Sequence, residues 1–146
     1  MEIFRKISNA IYQWVLDRNS DDYSVIYQYE DGGKGMLWCF WILLAVSLAS
    51  VLIYYFVIVK GNQDNASRKN YLTTFLLGLI TLIMVNIVVL KLCHNGSDVD
   101  FFTFNLLKIN LIDIVYYTIL FEVWSLVFKG MSEDPNRDLI SCFQNN

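Results

Sequence analysis

Lys108, Asp113 and Glu122 are the side chains placed where chemistry could follow, because all three ionisable groups fall inside Phe101–Phe128, a segment otherwise dominated by Ile, Leu, Val and Phe. A charged residue in a membrane helix costs roughly 2.5–3.5 kcal/mol on insertion scales, and it faces a bundle interior or an aqueous path. Two roles are open to Asp113. It exchanges a proton or pairs with a cation in a relay or gate, or it is satisfied by Asn105, Asn110, Asn86 or a tyrosine and fixes how helices or subunits associate. Lys108 lies five residues before Asp113, about 140° away on a regular helix, so an ion pair within the helix is disfavoured. Asn105, Lys108, Asn110, Asp113, Tyr116 and Tyr117 together span roughly 200° of the wheel. Glu122 and Ser125 fall on the other side, near the C-terminal end, where a carboxylate reaches headgroups or water.

The remaining candidates are weaker. Cys93, His94, Asp98 and Asp100 are ligand types, but no second pair completes a zinc spacing, so no metal site is expected. Nucleophile elbows, HExxH, Walker, paired CxxC and dinucleotide signatures are absent, which predicts a noncatalytic protein without a cofactor. Gly32–Gly35 (GGKG) lacks the spacing of a phosphate loop and reads as a hinge. Three cysteines, Cys39, Cys93 and Cys142, make no disulfide framework. The sequons at Asn65 and Asn95 fall in successive loops on opposite faces, so at most one can meet the lumenal machinery.

Composition identifies the elements that must position these residues. Of 146 residues, 55% are hydrophobic and 17% charged, against about 25% charged in ordinary soluble domains. Met36–Val59 and Tyr71–Leu90 contain no Asp, Glu, Lys, Arg or His. Each is long enough for a helix to cross the hydrocarbon layer, which takes about 20 residues. A net charge of −3 provides no basic field for nucleic acid. The expected fold class is therefore all-α: an integral membrane helical bundle with spans at about 36–59, 71–90 and 101–128, preceded by an amphipathic helix in 1–35 and followed by a short polar tail, 129–146. The alternative for 101–128 is a helix lying in the interface.

The opening segment carries apolar residues interleaved with charges, so no cleavable signal peptide is expected. Ile3, Phe4, Ile7, Ala10, Ile11, Trp14 and Val15 recur at helical spacing. Their stripe either packs against the spans or a partner chain, or lies in the lipid interface with Trp14 at headgroup depth. Tyr23–Tyr29 has strand-like or interfacial character, and Glu30–Gly35 is a flexible joint. Lys60–Asn70 is a polar hinge that returns the second span antiparallel to the first. Ala45 and Ala49 have the small-xxx-small spacing of close helix contacts, and Gly78 and Asn86 are further packing candidates on the second span. Pro135, the only proline, follows the third span.

Cations flanking the spans show a slight excess on the face of the first hinge and the C-terminus, which predicts a cytoplasmic C-terminus. A bundle of this size has little volume to cover the third span's polar arc unaided. The expected function is a noncatalytic polytopic membrane protein, an oligomerising or accessory subunit whose partners are the lipid bilayer and copies of itself or other membrane subunits. The alternative is a pore-forming or permeability-changing protein in which the same arc lines water. Nucleic acid is not an expected partner.

Overall fold

The computed structural model describes residues 2–16, 34–59, 68–93 and 104–129. The expectations for Tyr23–Tyr29, for residues 30–33 of the joint, for both sequons, for His94–Asp100 and for the tail with Pro135 lie outside the described residues. Among the described residues there are four helices and no strand: α1 (Glu2–Tyr12), α2 (Lys34–Leu52) continued by a π-helical segment (Ile53–Ile58), α3 (Arg68–Cys93) and α4 (Phe104–Lys129). Lys34 and Gly35, read as part of a joint, begin α2 instead.

Three of these helices are long and apolar enough to cross a membrane: Gly35–Ile58, Arg68–Leu92 and Asn105–Phe128, with mean hydropathies of 2.4, 2.5 and 1.7. Their buried positions recur every three or four residues, as in Tyr71, Thr74, Gly78, Leu82, Asn86 and Leu90 of α3. The intervening rows, such as Leu76, Ile80, Met84 and Val88, stay exposed and apolar. Such a distribution suits helices that pack on one side and meet hydrocarbon on the other, where no backbone polar group can be left unpaired.

The chain forms two compact units, Met1–Leu43 with Leu82–Val115 and Leu44–Thr81 with Tyr116–Asn146. In the first, α1 docks through Ser8 and Tyr12, both buried, and Phe4 stacks at a tilt on Trp41 with ring centroids 4.9 Å apart. Glu2 leads α1, where its charge complements the helix dipole, and it pairs with Lys6 at 3.8 Å. That exposed pair contributes little.

The second unit is built on aromatic rings. The Val59 amide donates to the Tyr54 carbonyl at 3.0 Å, five residues back. The extra residue in this π turn shifts the register of α2, and both Tyr54 and Tyr55 are buried as a result. Tyr54 meets Tyr71 edge-on at 4.9 Å, and Tyr71 meets Phe121 at 5.3 Å. These contacts set the start of α3 beside the end of α2 and the far part of α4, the antiparallel return predicted for the hinge. Edge-to-face ring pairs add about 0.5–1.5 kcal/mol beyond their buried area.

Candidate functional site: the buried carboxylate of α4

Asp113 is fully buried. Its two oxygens are held from different elements: the Tyr12 hydroxyl donates to Oδ1 at 2.5 Å, and the Asn86 amide donates to Oδ2 at 2.6 Å. Each element needs its partner for a local reason. The position of Asp113 on α4 points it inward, in register with Ile109 and Tyr117, which are also buried. Asn86 occupies the inward row of α3, and Tyr12 ends α1, followed by a turn whose Val15 and Leu16 amides donate back to the Tyr12 carbonyl. A carboxyl group in hydrocarbon is tolerable only with such donors, because water is absent to supply them.

The sequence named Asn86 or a tyrosine among the possible partners, and both are used. It did not indicate which tyrosine. Tyr12 is 101 residues away in the chain, and its hydroxyl carries no periodicity signal because the residue belongs to neither the apolar nor the charged pattern of α1.

The rest of the predicted polar arc divides. Asn105 and Asn110 are buried with Asp113, while Lys108 is half-buried. The Asn110 amide donates to the Leu106 carbonyl at 3.0 Å, whereas its Oδ1 is buried and has no partner among the described residues. Asn110 also lines a groove of about 410 Å³ whose other walls are Ile83, Ile87, Leu106, Leu107, Leu111 and Ile114. The chain thus buries several members of the arc itself, contrary to the expectation that they need outside cover. The reason is that α1 adds a fourth packing element against Asp113.

Tyr116 is half-buried and Tyr117 fully buried. The Tyr117 hydroxyl donates to the Phe75 carbonyl at 3.2 Å. Glu122, read as a boundary carboxylate, is only half-exposed. The Tyr71 hydroxyl lies 2.9 Å from Ser125 Oγ and 3.4 Å from Glu122 Oε2. Ser125, placed away from the arc on a straight wheel, is buried because the inward row follows every fourth residue from Asp113 through Tyr117 and Phe121.

Of the packing candidates, Gly78 is buried, and a Cβ built there would overlap the Tyr117 hydroxyl and Ser50 Oγ. Ala45 and Ala49 are exposed. The small residues of α2 that turn inward are Ser47 and Ser50, whose hydroxyls donate to Leu44 and Val46 carbonyls at 3.0 and 2.8 Å. Among the described residues, no group of three or more His, Cys, Asp or Glu could hold a metal ion.

A helical bundle with three spans of membrane length and a carboxylate satisfied in its interior defines the class: a small membrane protein. Compared with family models, curated proteins and solved structures, the chain matches none.

Proposed function

We propose that the chain is a noncatalytic membrane subunit that associates with copies of itself through the α3–α4 groove at Asn110. The observation that carries this reading is the unpartnered Oδ1 of Asn110 beside an apolar groove. An acyl chain filling the groove offers no donor, and a buried acceptor left unmade costs about 1–3 kcal/mol. A carboxamide is self-complementary: its NH2 has two protons, and among the described residues its one acceptor is the Leu106 carbonyl. With its side chain turned into the groove that it lines, each Asn110 donates its second proton across a two-fold axis to the other's Oδ1, the isologous contact that closed dimers use. Exposed Leu107 and Leu111 flank the amide and supply the apolar surround.

The test is cross-linking in vesicles of a chain freed of native cysteines and carrying Leu111→Cys. Spontaneous self-cross-linking is expected, and adding Asn110→Leu should weaken association about tenfold, from two interhelical hydrogen bonds worth about 0.6–1.7 kcal/mol each. Cross-linking that ignores Asn110→Leu, or equal cross-linking from Ile119→Cys, overturns the proposal.

A permeability-changing protein is the second reading, favoured by the buried polar side chains of α4, namely Asn105, Asn110, Asp113 and Ser125. In that case Asp113→Leu abolishes ion flux. For orientation, the flanking cations support a cytoplasmic C-terminus. With Cys39 and Cys93 changed to Ser, an impermeant maleimide should leave Cys142 unlabelled in intact cells and label it after permeabilisation. Labelling of intact cells contradicts that orientation.

A further inference from the structure

We propose that α1 is an in-plane membrane anchor, latched edge-on to the spans by Tyr12 and seated in the lipid interface by its outward apolar arc. At about 100° per residue, Ile3, Phe4, Ile7 and Ile11 of α1 share an arc of about 100°, and Glu2, Arg5, Lys6 and Asn9 share another, with centres about 160° apart; Trp14 follows in the turn after the helix. Ser8 and Tyr12, both buried, lie in the seam between the two, and buried Leu16 follows in the turn after the helix. A helix set against protein by its seam has its apolar and polar faces free for different solvents, hydrocarbon below and headgroups above. Ile3 is 71% and Trp14 73% exposed, apolar area that water would disfavour by about 25 cal/mol per Å².

Two contacts set the depth. Phe4 rests on Trp41 and Phe40, ring centroids 4.9 and 6.5 Å away, at the start of α2 where Trp38 and Trp41 are exposed as an interfacial aromatic belt would be. Tyr12 reaches Asp113, which lies nine residues beyond Phe104, roughly 13 Å of helix rise into the span. The polar face carries one acid and two cations in Glu2, Arg5 and Lys6, so neutral lipid suffices and anionic headgroups are not needed.

The test uses the full chain with Trp38, Trp41 and Trp124 changed to Phe, leaving Trp14 as the single indole, reconstituted in phosphatidylcholine vesicles. Lipids brominated near the headgroup end of the acyl chain should remove about half of its emission, and lipids brominated near the methyl end much less, as expected for a ring just below the headgroups. Replacing a third of the lipid with phosphatidylserine should leave the result unchanged. Emission untouched by either brominated lipid, whether from water exposure or from cover by another copy, overturns the proposal. A spin label at Ile7→Cys in a cysteine-free chain with all tryptophans kept provides a second reading. Collisions with oxygen should exceed those with a water-soluble nickel chelate, and the reverse order overturns it.

Discussion

Tyr12→Phe is expected to loosen α1 from the bundle while leaving the spans intact. The change keeps the ring and removes one oxygen, so a fully buried carboxyl loses one of its two donors. The loss should be about 1–2 kcal/mol, given that hydrogen bonds inside membranes average about 0.6 and reach about 1.7 kcal/mol and that bonds to charged groups lie higher. Asp113→Leu removes the acceptor of both the Tyr12–Asp113 and Asn86–Asp113 bonds, for about 2–4 kcal/mol. The diagnostic is the double variant. Once Asp113 is gone, the Tyr12–Asp113 bond is already lost, so the two changes together should fall short of their sum by about 1 kcal/mol. Unfolding by sodium dodecyl sulfate in mixed micelles, followed by helical circular dichroism, measures each term. Hydrogen exchange should accelerate across residues 2–16 in Tyr12→Phe and stay unchanged in α3 and α4. Strict additivity of the two substitutions would mean that the Tyr12–Asp113 contact contributes nothing.

Gly78→Ala should destabilise by about 2–3 kcal/mol, although helix propensity alone favours alanine by about 1 kcal/mol. The added methyl meets the Tyr117 hydroxyl and Ser50 Oγ at overlap distance. Neither can withdraw cheaply. The Tyr117 ring is held between Phe75 and Phe121, with centroids 5.4 and 5.8 Å away, and its hydroxyl is committed to the Phe75 carbonyl. Removing both obstructing oxygens should therefore rescue the variant: Gly78→Ala with Tyr117→Phe and Ser50→Ala is expected to recover at least half of the loss in the same titration. A Gly78→Ala chain more stable than the parent would show that α3 is not held this close.

The spans were legible because hydrocarbon imposes one rule on every residue facing it, and runs such as Met36–Val59 obey that rule without exception. Gly78 and Asn86 stood out for the same reason, as residues that a lipid-facing row would not choose. Ala45 and Ala49 show the limit: their spacing permits close packing, but which side of α2 turns inward depends on its neighbours, and here Ser47 and Ser50 turn inward. Glu122 and Ser125 were separated from the polar arc by a straight wheel of fixed period. The inward row of α4 advances by four residues at a time instead, as it does on helices that cross at an angle. Asp113 could be singled out by its position, yet its main donor lies on a helix whose own pattern reports lipid and water rather than Asp113. Pairings of that kind depend on tertiary contact and leave no mark in local periodicity.

Association through the Asn110 groove is most directly tested by the mass of the assembly in mild detergent, determined by light scattering on protein also reconstituted for ion flux. A particle containing two chains of 17.0 kDa each, which Asn110→Leu dissociates to one at about tenfold higher protein concentration than the parent, in vesicles that stay tight, is the predicted result. A single chain in the particle, or a mass that Asn110→Leu does not change, would contradict self-association through the groove, and vesicles that leak until Asp113→Leu seals them would identify a pore.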